Sequence, residues 1–135
     1  MKRIASATVT RVGPNYAQDI RAGGFELASD EPVSGGGQNA GPAPYYLVLA
    51  GLGSCTAITL KMYADRKGWD IGRLEVGLTL EKDAEGNTYI ERTLRSDAPL
   101  TAEQWDRLID IAGKTPVTKT LIAGAAITTR RAGDE

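Results

Sequence analysis

The chain contains no histidine and a single cysteine, Cys55, in 135 residues. The first absence excludes every Ser–His or Cys–His catalytic arrangement built from this chain alone. It also excludes histidine-rich zinc sites. One cysteine cannot supply a thiolate cage, so no metal site is expected. A lone cysteine cannot close a disulfide within the chain, and the start, MKRIASATVTRV, is charged and alternating with no apolar run. Both features point to the cytoplasm. An excess of charge of either sign is also missing: 16 basic residues face 17 acidic ones, for a net charge of −1. A broad electrostatic grip on nucleic acid or on an acidic membrane is therefore not expected. The Arg130–Arg131 pair is too short to change that.

Against these absences stands one long apolar stretch, PYYLVLAGLGSCTAITLKMYADRKG, from Pro44 to Gly68. Pro44 suits the first turn of a helix, where its missing N–H costs nothing. Gly68 suits a left-handed stop just past the end. Lys61, Arg66 and Lys67 lie toward the end of the helix dipole that favours cations. The pattern predicts one long helix, apolar nearly all round and so central to the fold. Its length would allow a membrane span. Gly51, Gly53, Ser54, Thr56 and Thr59 dilute it, and a buried core helix is the better reading.

The rest of the chain predicts a single domain over residues 1–135, with the order β-β-β-α-β-β-α-β. Residues 3–12 read as a strand, Gly13-Pro14-Asn15 as a turn, and Tyr16 to Ala22 as a second strand. Gly23-Gly24 is a hairpin turn into a third strand, FELAS. Residues 30–43 carry the run Gly35-Gly36-Gly37. A phosphate-binding loop would need a following Lys-Ser or Lys-Thr, and Pro42 and Pro44 remove two N–H groups. The segment reads as a flexible linker, and no cofactor is expected. Leu74, Val76, Leu78 and Leu80 alternate with polar residues in the clearest half-buried strand. Asp83 to Asn87 turns into a partner strand with Ile90 and Leu94 on one face. Thr101 with Gln104 fits a capping box opening a second helix, whose stripe is Trp105, Leu108, Ile109 and Ala112. Thr115-Pro116-Val117 begins a short turn or helix through Leu121. A last strand is predicted from Ala125 to Arg130.

Cys55 is the leading candidate for chemistry. The residues alone leave two readings open, a nucleophilic or redox thiol and an inert core residue, and the mid-helix apolar setting favours the second. Tyr45 and Tyr46 offer phenols that can donate a hydrogen bond, or rings that can line a pocket or simply pack. Trp69 and Trp105 read as packing residues.

The segment GPAPYYLVLAGLGSCTAITLKMYADRKGW resembles the central-helix signature of the OsmC/Ohr superfamily. RAGGFELASDEP, from Arg21, is similar to the N-terminal meander in one branch of that family, and YIERTLRSDAPLTAEQWDRLIDIAGKTPVTKTL to its second-helix region. The resemblance implies an α/β (α+β) OsmC-like fold, with antiparallel sheets wrapped on a long central helix. It further implies an intertwined homodimer with two pockets at the subunit interface. In active members a cysteine at the position of Cys55 reduces organic hydroperoxides. An arginine of the N-terminal meander assists it, and Arg21 is the match, with Arg11 second.

Two departures bear on activity. The family's glutamate nine or ten residues before the cysteine is replaced by Tyr45 or Tyr46. The second cysteine, in a Cys-Pro-Val motif, is replaced by Thr115. A sulfenic acid on Cys55 would therefore need an external thiol reductant. The resemblance thus implies a thiol-dependent peroxidase with Cys55 and Arg21 catalytic and Tyr45, Tyr46 and Thr115 at the pocket. The alternative is a non-catalytic relative that binds a small apolar ligand.

Overall fold

The computed structural model describes residues 1–133. Its contacts fall into two compact units, Met1–Ala50 and Gly51–Glu135. The first holds a three-stranded antiparallel meander: β1 (Ala7–Arg11), β2 (Gln18–Ala22) and β3 (Phe25–Ser29). Ala22 pairs with Phe25, so Gly23 and Gly24 form a two-residue turn. Both have positive φ, 58° and 83°, which two adjacent residues adopt readily only as glycine. The first two strands are shorter than the sequence predicts.

The segment expected to be a flexible linker is a structured loop. Asp30, only 2% exposed, organises it. Its carboxylate accepts N–H bonds from Glu31 at 2.7 Å, Gln38 at 3.1 Å and Ala40 at 3.2 Å. Gly41 lies so close to the meander that a Cβ there would stand 2.5 Å from the Ala28 carbonyl oxygen. Burial pushes the Asp30 carboxyl up, but the three backbone N–H donors outweigh it and hold it below its ordinary value. A group depressed in the folded state stabilises above its unfolded pKa, and that contribution fades as pH falls through the folded value. The urea midpoint of Asp30→Asn should therefore lie furthest below wild type near neutral pH. The gap should close as pH drops below about 4.

The second unit contains the larger part of α1, the helix Pro44–Lys67. Gly68, at φ 71°, ends it as expected. Its N–H donates to Asp65 O and that of Trp69 to Ala64 O, the paired bonds of a Schellman stop. The hairpin of β4 (Glu75–Lys82) and β5 (Thr88–Arg95) follows, then α2 (Ala102–Ala112) and α3 (Pro116–Ala123). The capping box at Thr101 and Gln104 is present. Leu60, Ala64, Ile71, Leu108 and Ala112 form the buried cluster, with Trp69, Trp105, Leu74 and Leu94 packed against it.

Two expectations are corrected. Ala125 to Arg130 joins neither sheet, so the last helix or strand among the described residues is α3. Its β-branched residues favour extended backbone, but a strand needs a neighbour to pair with. Second, α1 is not buried all round. Leu52, Thr56, Leu60 and Ala64, four residues apart, form its one buried stripe. Ile58 and Met62, about 200° away round the helix, are 52% and 59% exposed. Sequence periodicity reports that a face is apolar, and only the fold supplies something to cover it. By length and composition α1 could cross a membrane, the one such helix among the described residues, with 28% of its most apolar window buried.

Candidate functional site around Cys55

Cys55 stands one residue before Thr56, and so at the border of the buried stripe of α1. It is half-buried, and its Sγ lies 4.0 Å from Thr59 Oγ1, one turn further on. A cation approaches from the hairpin. On β5 the inward residues are Ile90, Arg92 and Leu94. In register they oppose Leu80, Leu78 and Val76 of β4. Among these six inward residues Arg92 alone is charged.

Its guanidinium is held by neutral oxygens from three helices. Nη1 donates to Thr56 Oγ1 and to Thr118 Oγ1, both at 2.9 Å, and Nη2 donates to the Ala112 carbonyl at 2.8 Å. Ala112 is the last residue of α2, where a helix has unsatisfied carbonyls and a dipole that favours a cation. Thr115, fully buried, is the N-cap of α3 and accepts the N–H of Thr118. Its hydroxyl lies 2.7 Å from that of Thr118, whose own proton goes to Ala112 O at 3.1 Å. One assignment satisfies the whole set. Thr115 donates to Thr118, Thr118 donates to Ala112 O, and Thr56 donates to Leu52 O at 2.7 Å. Both threonine acceptors then remain open to Arg92.

Burial pushes the Arg92 pKa down, and the charge of the neighbouring Cys55 sulfur pulls it back up. A guanidinium remains cationic throughout the physiological range. Among the described residues Arg92 forms no salt bridge with a carboxylate. The site therefore offers a sulfur nucleophile and a cation aimed by fixed oxygens. No cluster of metal-binding side chains occurs among the described residues.

Of the other sequence candidates, Arg21, Arg11, Tyr45 and Tyr46 belong to the first unit. Arg21 is on β2, directly opposite Glu26 in register, and forms an exposed 2.8 Å ion pair with it. Arg11 donates to the Gly13 carbonyl at 3.1 Å. Tyr45 and Tyr46 occupy the first turn of α1, 54% and 68% exposed. Thr115 is brought to the Cys55 side of the molecule only through Thr118 and Arg92. Sequence reasoning missed Arg92, Thr56 and Thr118. The signal was there for the first of them: period-two counting puts a charge between Ile90 and Leu94, on the face meant for the core.

The profile of the family described as OsmC-like protein matches residues 35–130. The chain belongs to the OsmC-like family. The matched residues include Tyr45, Tyr46, Cys55, Arg92 and Thr115, and leave Arg21 outside. Solved structures agree on the fold. An OsmC-like protein from Mycoplasma pneumoniae is 20% identical, with a TM-score of 0.76 over 90% of this chain and 89% of that one. A putative osmotic stress induced and detoxification response protein from Psychrobacter arcticus is 18% identical, also with a TM-score of 0.76, over 89% and 90%. The organic hydroperoxide resistance protein OhrB of Bacillus subtilis is 25% identical, with a TM-score of 0.60 over 87% and 90%. Comparison with curated proteins gave no match. This OsmC-like chain thus shares a mixed α/β fold of antiparallel sheets and helices with relatives that include hydroperoxide resistance proteins.

Proposed function

We propose that this protein is a thiol-dependent peroxidase of the OsmC type, reducing organic hydroperoxides at Cys55. The observation that carries the reading is the half-buried Cys55 next to Thr56, whose hydroxyl holds the Arg92 guanidinium at 2.9 Å, in a chain of this family. In the reaction the thiolate attacks the outer peroxide oxygen. The O–O bond breaks, and its electron pair leaves with the alkoxide, which takes a proton and departs as the alcohol. Sulfur becomes a sulfenic acid. With Thr115 in place of a second cysteine, an external thiol displaces hydroxide from sulfur as water and forms a mixed disulfide. A second thiol then frees Cys55. Arg21 remains the proposed activating residue of the meander. Its test is the rate of Arg21→Ala.

The experiment mixes the purified protein with cumene hydroperoxide. Consumption far faster than by free cysteine, with a trappable sulfenic acid on Cys55, is the expected result; a rate like that of free thiol overturns the proposal. The competing reading is a non-catalytic binder of a small apolar ligand. It is favoured by tyrosines where the family's glutamate would stand and by the redox-inert Thr115. It predicts apolar material that co-purifies with both wild type and Cys55→Ser.

We further propose an intertwined homodimer working in the cytoplasm, free of membrane and nucleic acid. The exposed apolar face of α1 supports a second copy as its cover. Met62→Glu should then shift the protein from dimer to monomer in sedimentation, because a carboxylate buried at an apolar interface without a partner is costly. A wild-type monomer would refute it.

A further inference from the structure

The neutral oxygens around Arg92 satisfy some of its N–H groups but leave its charge unbalanced. Nη1 spends both protons, on Thr56 and Thr118, and Nη2 spends one, on Ala112 O. Ala112 O and Thr118 Oγ1 are themselves 3.1 Å apart, so they occupy the outer edge of the guanidinium, where one Nη1–H and one Nη2–H run parallel. Thr56 then takes the remaining Nη1 proton. Of the five donors, Nε–H and the second Nη2–H are left. These two also run parallel, and they form the other fork by which an arginine grips a paired acceptor. Among the described residues nothing occupies that fork.

A partly buried cation on an aliphatic sheet face is costly unless a negative charge compensates it. Cys55 directly precedes Thr56, whose hydroxyl holds Nη1 of Arg92 at 2.9 Å, and so its sulfur is a charge-bearing neighbour of the guanidinium. We infer that Arg92 is the charge partner of Cys55 and that Thr56, Thr118 and, behind them, Thr115 are the positioning residues that aim it. Its charge, held one residue from Cys55 by the bond to Thr56, acts on the negative charge that sulfur carries during attack. Thr115 then has a purpose that a resolving cysteine would not serve. Its hydroxyl, 2.7 Å from that of Thr118, fixes the oxygen that accepts from Arg92. The use of this charge for peroxide reduction rests on the reading above; its presence beside Cys55 does not.

The test exploits the single cysteine, so that alkylation reports one sulfur. Rates are measured with anionic iodoacetate and with neutral iodoacetamide, and their ratio is taken. Exposure of the sulfur and its ionised fraction act on both reagents of similar size and largely cancel, leaving the local charge. The iodoacetate/iodoacetamide ratio should be higher in the folded protein than in the same chain unfolded in urea. Arg92→Gln should lower it about fivefold, as expected for removing one nearby charge in a half-solvated site. Arg92→Lys should retain most of it, Thr118→Val should lower it in part, and Thr115→Ser should leave it unchanged. A folded wild-type ratio no greater than the unfolded one overturns the inference without any variant, as does an unchanged ratio in folded Arg92→Gln. A protein that keeps the charge effect but consumes no hydroperoxide sustains the inference and refutes the peroxidase. One that consumes hydroperoxide with no charge effect does the reverse.

Discussion

Cys55→Ser is expected to bring hydroperoxide consumption down to the uncatalysed rate, a loss on the order of 10³-fold or more, the scale on which removing a nucleophile acts. Three features of the site make the loss complete rather than partial. The chain has no second cysteine and no histidine to take over or to activate a hydroxyl. Arg92 can stabilise developing charge but has no proton acceptor to offer, because a guanidinium only donates. Thr115 and Thr118 have their hydroxyls committed to one another and to Ala112 O. The change from sulfur to oxygen is small in volume, and Cys55 sits at the border of the buried stripe rather than inside it. The urea midpoint should therefore stay close to wild type. Loss of activity with an intact midpoint assigns the chemistry to the sulfur. Retained activity in Cys55→Ser would show that another group carries the reaction.

Leu60→Ala should produce the largest loss of stability, about 2–5 kcal/mol. Leu60 is fully buried. It lies one turn beyond Thr56 on the buried stripe of α1, in the cluster with Ala64, Ile71, Leu108 and Ala112. Two of those neighbours are alanines, which have no side-chain freedom with which to fill a void. The cavity would therefore persist, and the cost should fall in the upper part of the range. The measurement is the urea midpoint at unchanged slope. Ile58→Ala probes the opposite side of the same helix. In a monomer, where Ile58 is 52% exposed, its cost should stay under about 0.5 kcal/mol. A larger cost that grows with protein concentration would show that a second copy covers this face. A small Leu60→Ala effect would mean that this core relaxes around the void.

Much of the fold was legible because local chemistry marks its own boundaries. Pro44 and Gly68 bracket α1, Gly23-Gly24 fixes the β2–β3 register, and Thr101 with Gln104 opens α2. In each case the residue satisfies or frees backbone groups of its immediate neighbours, so a window of a few residues suffices. The strand predicted at Ala125 to Arg130 failed for the complementary reason. Its composition favours extension, but pairing depends on a neighbour that no local window contains.

The sequence by itself determined all but the last of the predicted elements, the family and the single sulfur. The lack of histidine and of a second cysteine also fixed which chemistries were open to it. Tertiary structure alone decided what stands beside that sulfur. Thr56, Arg92, Ala112 and Thr118 are separated by up to 62 positions in the chain, and they meet because one hairpin and two short helices pack on the buried stripe of α1. A hydrogen bond between distant residues depends on that packing, whereas a helix cap depends on residues three apart. For this reason the caps could be read in advance and the charge partner could not.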